Sequence, residues 1–135
     1  MEKRLDEISI KKLMDAARKA SALAYPSVSD LKVGAAILSD DGEIFCGANI
    51  ETPSLLFVIC AERVALIEAL LSGKRNFRAI AVYSPDIKNI SPCGICRQTL
   101  FEIDQDITII MGSEGKSLIM KSIKELLPSG FLMPE

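Results

Sequence analysis

Two short segments of the chain carry the residue types that could do metal chemistry. Cys60 and Glu62 stand two residues apart, and Cys93 and Cys96 stand three apart further along the chain. A three-residue spacing lets one turn aim both sulfurs at a single ion. Both segments are expected at the first turn of a helix, where free N–H groups and the positive helix end stabilise a thiolate. The fold would bring in Cys60 as a third sulfur ligand.

Three protein ligands are typical of a catalytic zinc site, because a tetrahedral ion then keeps one position open to water. Glu62 is poorly placed to bind the same ion but can reach that water, so we interpret it as the proton shuttle. The chain has no histidine, which excludes imidazole ligands and Ser-His or Cys-His catalysis. A structural site of four cysteines that includes Cys46 is the alternative. It would leave Glu62 without a role, and mid-strand Cys46 is better explained as a small buried residue.

The composition is that of an ordinary folded protein. Of 135 residues, 49% are apolar and 25% charged, which predicts a single domain over residues 1–135. A net charge of -2 gives no reason to expect a nucleic-acid partner. No apolar stretch is long enough for a membrane span or follows the charged start as a signal core. We therefore expect a cytoplasmic protein whose cysteines bind metal or stay free.

Helices and strands must position these residues. The pattern predicts an α/β fold with a mixed sheet, helices over its faces, an antiparallel first strand pair and parallel helix-linked strands. Three local signals are Ser9 as an N-cap, Asp41-Gly42 as a hairpin turn, and a capping box of Ser122 and Glu125. Residues 49–58 are predicted to be a loop. The predicted helices are Ser9–Ala24, Cys60–Ser72, Gly94–Ile103 and a short one from Ser122, and the strands are Lys32–Leu38, Glu43–Ala48, Phe77–Ser84, Ile107–Met111 and a short one within Lys116–Met120.

The ordered motifs resemble those of the small zinc-dependent cytidine deaminases. The resemblance runs from Tyr25 to Phe131, and its densest segments are Val33–Ala36, Asn49–Glu51, Cys60–Arg63, Pro92–Gln98 and Glu125–Pro128. It implies a three-layer fold, with a five-stranded mixed sheet between helices, and a homotetramer. The activity it implies is hydrolytic deamination of cytidine or deoxycytidine to uridine or deoxyuridine, with release of ammonia.

The resemblance also implies roles for single residues. Glu62 would move protons during the reaction, and Arg63 would draw charge from the zinc-bound sulfurs, with Arg97 as a second candidate for that role. Asn49 and Glu51 match residues that bind the ribose hydroxyl groups. Phe131 matches an aromatic residue that reaches the site of a neighbouring subunit. The implied substrate contacts are Leu31, Asn49, Glu51, Ala61 and Phe131.

The chain departs from the family around the substrate. Val28, Leu31 and Leu55 stand where aromatic residues are common, which changes how a substrate is held. The blasticidin-S deaminases share the zinc motifs and usually lack an acidic residue at the position of Glu51. Deamination of blasticidin S or another modified aminopyrimidine nucleoside, and nucleoside binding by a non-catalytic zinc protein, are the alternatives. Nucleic-acid editing is opposed by the net charge and the few aromatic residues.

Overall fold

The computed structural model describes residues 4–135 of the chain. The α/β class predicted from the sequence is confirmed. The elements in chain order are α1 (Glu7–Ser21), β1 (Tyr25–Pro26), β2 (Gly34–Ser39), β3 (Ile44–Ala48), β4 (Ile50–Glu51), β5 (Val58–Ile59), α2 (Ala61–Leu71), β6 (Phe77–Ser84), α3 (Gly94–Ile103), β7 (Thr108–Ser113), β8 (Ile119–Ser122) and α4 (Ile123–Leu126).

A mixed five-stranded sheet in the order β3-β2-β6-β7-β8 forms the middle layer. Strands β2 and β3 form the predicted antiparallel hairpin, whose turn places Gly42 at a φ of 92°. Strands β6 and β7, which α3 connects, pair in parallel, and β8 returns antiparallel to β7. Because β3 and β6 both run antiparallel to β2, they point the same way, and α2 connects them.

That strand order brings three chain segments to one edge of the sheet. Gly34 at the start of β2 pairs with Ala48 at the end of β3 and with Tyr83 near the end of β6. The segment before β2 and the segments after β3 and β6 therefore leave the sheet side by side. Helices α2 and α3 begin from the last two of these segments, so their N-termini lie at this edge.

The faces of β2 divide the core into two layers. Ala35 and Ile37 point into a cluster with α2, α3 and α4, whereas Ala36 and Leu38 point toward α1. Alternation with a period of two places successive side chains on opposite faces. The predicted arrangement of helices on both faces is confirmed, and among residues 4–135 only α1 covers the second face.

A second, small sheet corrects the prediction of a loop over residues 49–58. Strand β4 pairs in parallel with β1 and antiparallel with β5. Strands of two residues have too little periodicity to be recognised from sequence. Through β4, this sheet holds the residues that directly follow β3.

Of the two predicted helix N-caps, the one at Ser9 is wrong and the one at Ser122 is confirmed. Helix α1 begins after Asp6, whose Oδ1 accepts a hydrogen bond of 2.7 Å from the N–H of Ser9. Ser9 is therefore in the first turn and is not the cap, because both residue types can cap and only the backbone geometry decides. Ser122 and Glu125 form the predicted capping box of α4.

Within residues 4–135, no helix is long and apolar enough to cross a membrane.

Close packing of α1 on β2 depends on Gly34. A Cβ atom at this position would lie 2.0 Å from the carbonyl oxygen of Ala17. We therefore expect Gly34→Ala to lower the free energy of unfolding by about 3 kcal/mol, the upper end of the usual cost of overpacking, since backbone atoms of a packed helix cannot yield locally. Gly94→Ala is the matched control, because a Cβ atom at Gly94 meets no atom of residues 4–135 within 4 Å. Equal denaturation midpoints for the two variants would contradict this account.

Candidate metal centre and substrate pocket

The N-termini of α2 and α3 bring three cysteines together. Cys60 and Cys93 are the N-cap residues of the two helices, and neither uses its side chain to cap. Cys96 lies one turn into α3 and is buried. The three Sγ atoms lie within 4.8 Å of one another, with 3.7 Å between Cys60 and Cys93. The predicted convergence of these residues is present.

Cys46 lies away from this cluster. It pairs with Ala36 across the β2–β3 hairpin and packs on the α1 side of the sheet. Burial raises the pKa of its thiol. A site of four cysteines is therefore excluded by the sheet itself, which separates Cys46 from the other three.

The sulfur cluster stabilises negative charge on Cys60. A hydrogen bond from the Cys96 thiol, together with contacts to Arg63 and Cys93, lowers the pKa of Cys60 to about 5 despite burial. The pKa of Cys96 is raised by its hydrogen bond to Cys60 and by burial. The Nη2 atom of Arg63 donates to the Cys60 Sγ atom at 3.6 Å. The cluster therefore already favours a thiolate at the position where a cation would need one.

Glu62 lies beside the sulfurs, in the first turn of α2. Its side chain is 4% exposed. Burial raises the pKa of its carboxyl group to about 7, against the opposing effect of a backbone N–H. A carboxyl group with such a pKa can both accept and release a proton near neutral pH.

A pocket of about 250 Å³ opens beside Cys60, Glu62 and Cys93. Four of the five predicted substrate contacts line it, namely Leu31, Asn49, Glu51 and Ala61. The remaining walls are mainly aliphatic and come from Val33, Val58, Ile59, Ile87 and Ile90. The pocket combines an apolar wall with a polar end, as small-molecule sites commonly do.

Asn49 and Glu51 form the polar end. Asn49 is 7% exposed, and its Oδ1 accepts from the N–H of Val33 at 2.8 Å. Its Nδ2 donates to the carbonyl of Leu31 at 2.8 Å and to the Glu51 Oε2 atom at 3.2 Å. Both amide hydrogens of Asn49 are thus used within the protein. Glu51 is the member of the pair with more capacity to bind a ligand.

Phe131 is placed differently from the other predicted contacts. It does not line the pocket of its own chain, and its side chain is 59% exposed. Its backbone is fixed by the side chain of Gln98, which donates to the Phe131 carbonyl at 2.7 Å and accepts from its N–H at 3.3 Å. The tail therefore presents the Phe131 ring outward from α3.

Arg97 supports the segment that carries Cys93 and, within residues 4–135, makes no hydrogen bond to sulfur. Its guanidinium donates to the Pro92 carbonyl at 2.8 Å, the Leu126 carbonyl at 2.8 Å and the Ser91 hydroxyl at 2.7 Å. It ties the turn that carries Cys93 to the end of α4. Of the two arginines considered for contact with the sulfurs, Arg63 has the geometry.

Sequence reasoning gave no role to two residues that organise the site. Ser29 lines the pocket and binds the Glu51 carboxylate, and Gln98 holds Phe131. Gln98 lies in the Pro92–Gln98 motif, and its place there could have indicated a role in the site. Ser29 has no signal beyond its place between Val28 and Leu31, because its partner lies 22 residues away.

Comparison with known proteins identifies the family. The family model for the cytidine and deoxycytidylate deaminase zinc-binding region matches residues 8–112. The cytidine deaminase of Sporosarcina psychrophila is 34% identical over 125 residues, which cover 92% of each chain. The crystal structure of cytidine deaminase from Burkholderia pseudomallei has a TM-score of 0.85 and 38% identity, covering 90% of this chain and 98% of that one. A blasticidin-S deaminase from Bacillus cereus is 34% identical over 104 residues, covering 71% of this chain and 74% of its own.

Three cysteines beside a buried carboxyl group, in a three-layer α/β fold, are the arrangement of a metal-dependent hydrolase. The chain belongs to the cytidine and deoxycytidylate deaminase family. Its donor set fits the zinc of that family, because three converging thiols can supply three of the four positions of a tetrahedral ion. The guanidinium of Arg63, whose Nη2 donates to the Cys60 Sγ atom, adds positive charge beside the sulfurs. Its buried Nε–H has no hydrogen-bond partner within residues 4–135.

Zinc content tests the assignment of the ligands. We expect Cys93→Ala to purify without zinc and Cys46→Ala to retain it, since only the first change removes a sulfur from the cluster. Atomic absorption on the purified variants measures both, and circular dichroism checks their folding. Zinc loss of equal extent in the two variants would show that the cluster at Cys60, Cys93 and Cys96 is not the metal centre.

Proposed function

We propose that the protein is a zinc-dependent deaminase that converts cytidine or deoxycytidine to the corresponding uridine, consuming water and releasing ammonia. The whole chain would act as one domain. The observation that carries this proposal is the position of Glu62, buried in the pocket wall beside three converging sulfurs. The names of the similar proteins and the match to the family model support the same activity.

The proposed reaction assigns a task to each part of the pocket. Zinc, when bound by Cys60, Cys93 and Cys96, supplies the Lewis acidity that makes water nucleophilic near neutral pH. Glu62 takes a proton from the attacking water and gives it to the ring nitrogen beside the amino-bearing carbon. It then carries the second proton to the departing amino group, which leaves as ammonia.

Binding in this proposal comes from the opposite end of the pocket. Glu51 accepts a hydrogen bond from a sugar hydroxyl, while Leu31 and the neighbouring aliphatic residues lie against the pyrimidine. Hydrogen bonds to a carboxylate are stronger than those between neutral groups. Glu51 thus favours a substrate that presents a sugar hydroxyl at this end of the pocket, as cytidine and deoxycytidine both do. Ala61, at the start of α2, would face the base beside Glu62.

Replacing Glu62 separates chemistry from metal binding. We expect Glu62→Gln to retain zinc and to lower kcat on cytidine by about 10²–10⁴-fold, because the amide cannot carry the proton. The loss of ultraviolet absorbance of cytidine, together with ammonia release, measures turnover. Glu68→Gln is the matched control, since Glu68 lies on the same helix with an exposed side chain.

Three outcomes bear on the proposal. Turnover of cytidine by the unsubstituted protein and its loss in Glu62→Gln alone would support it. Turnover of blasticidin S without turnover of either nucleoside would move the activity to the sister family. A zinc-loaded protein with no turnover on any of these compounds would leave nucleoside binding as the function.

We propose further that the protein assembles as a homotetramer in which Phe131 completes the pocket of a neighbouring subunit. Support comes from the exposed Phe131 ring and from the Gln98 clamp that fixes its backbone. Leu55 and Leu56, in the loop between β4 and β5, are also exposed, at 57% and 91%, and would be covered by such an assembly. A cytoplasmic location is part of the proposal, since cysteine ligands stay reduced there.

Mixed oligomers test the sharing of Phe131. Coexpression of Phe131→Ala chains with Glu62→Gln chains should yield more activity than either variant alone, because some sites then combine Glu62 of one chain with Phe131 of another. Sedimentation gives the oligomeric state. In the control, chains with Met133→Ala take the place of the Phe131→Ala chains. Met133 is an exposed residue of the same tail and lies outside the pocket. An active monomer, or the absence of any gain on mixing, would contradict subunit sharing.

A further inference from the structure

Ser29 makes an unusual number of contacts with Glu51 for an exposed loop residue. Its N–H donates to the Glu51 Oε1 atom at 2.8 Å, and its hydroxyl donates to Oε2 at 2.9 Å. Asn49 donates to the same Oε2 at 3.2 Å. The protein therefore holds both oxygens of the Glu51 carboxylate, Oε1 through the Ser29 N–H and Oε2 through the Ser29 hydroxyl and Asn49.

The loop that carries Ser29 is itself fixed. The Ser29 hydroxyl accepts from the N–H of Leu31 at 3.1 Å, and the N–H of Asp30 donates to the Pro26 carbonyl at 2.9 Å. Asp30 adopts a φ of 60°, in the left-handed region that a non-glycine residue rarely occupies. The chain thus turns sharply immediately after Ser29, and this turn places both hydrogen-bonding groups of Ser29 toward Glu51.

The next residues extend this support to the sheet. The N–H of Lys32 donates to Asp86 at 2.9 Å, and its carbonyl accepts from the Ser84 hydroxyl at 2.7 Å. Both partners belong to the end of β6 or follow it. The orientation of the Glu51 carboxylate is therefore set by the edge of the central sheet, through Ser29.

We propose that Ser29 is a positioning residue that holds the Glu51 carboxylate ready to accept a hydrogen bond from a sugar hydroxyl of the substrate. This inference rests on the proposed nucleoside deamination and deepens it. Burial acts to raise the pKa of Glu51, but the hydrogen bonds from Ser29 and Asn49 outweigh it and lower the pKa. The carboxylate is thereby kept ionised and in one orientation, so less freedom is lost when the sugar binds.

The role of Ser29 is specific to the sugar and separate from the chemistry at the other end of the pocket. Ser29→Ala should therefore raise KM for cytidine by about three- to tenfold, the effect of one partly exposed hydrogen bond, with kcat nearly unchanged. The same variant should leave KM for 2′,3′-dideoxycytidine unchanged, because that substrate lacks the hydroxyl groups that Glu51 would bind. Ser29→Thr, which keeps the hydroxyl, should restore the KM for cytidine.

Two further variants separate positioning from loosening of the loop. Ser27 is the matched control, because its hydroxyl also binds Glu51, but at the main-chain carbonyl rather than the carboxylate. Ser27→Ala should not reproduce the difference between the two substrates. In a Glu51→Gln background, Ser29→Ala should cause no additional rise in KM for cytidine, since the group that it positions has already been changed.

The outcomes distinguish this inference from the function on which it rests. No turnover of cytidine by the unsubstituted protein would remove the proposed function itself. Normal turnover with equal KM values for the unsubstituted protein and Ser29→Ala would overturn only the role of Ser29. An equal rise in KM for cytidine and 2′,3′-dideoxycytidine in Ser29→Ala would also overturn it. So would a rise in KM for cytidine alone in Ser27→Ala, because the effect would then come from the loop as a whole.

Discussion

The meeting of two helix N-termini at one edge of the sheet is the constraint on which the site depends. Cys60 and Cys93 occupy the N-cap positions of α2 and α3, and their Sγ atoms lie 3.7 Å apart. Free N–H groups and the positive ends of the two helices favour thiolates at this place. The meeting itself follows from strand order, because β3 and β6 point the same way on either side of β2.

The same strand order explains why the polar end of the pocket lies where it does. Strand β2 runs opposite to β3 and β6, so the segment before it begins at the edge where α2 and α3 start. Asn49 then bridges that segment through Val33 and Leu31. A buried amide with both hydrogens used is a stiff connection, since breaking it would leave unpaired polar groups. The protein thus holds the polar end of the pocket and the sulfur cluster on one framework.

Arginine residues serve this framework in two different ways. Arg63 acts on charge, because its guanidinium lies against Cys60 and its own pKa is raised by that contact. Arg97 fixes the backbone, because it links the Pro92 and Leu126 carbonyls and so holds the turn before α3 against the end of α4. The planar guanidinium suits both tasks, since it offers several donors in fixed directions. The family resemblance favoured Arg63 for the contact with sulfur, whereas the carbonyl contacts of Arg97 are known only from the structure.

The sequence by itself determined the elements with strong local signals and the chemistry of the sulfur residues. Helix α3, strand β6 and the capping box at Ser122 follow from periodicity and capping chemistry, which are local properties. The absence of histidine limited the metal ligands to thiolates or carboxylates, and the spacing of Cys93 and Cys96 favoured sulfur. Tertiary structure decided what depends on distant partners. It placed Cys46 behind the sheet, built a second sheet from strands of two residues, and brought Ser29 to Glu51, because contacts between segments far apart in the chain leave no periodic trace in it.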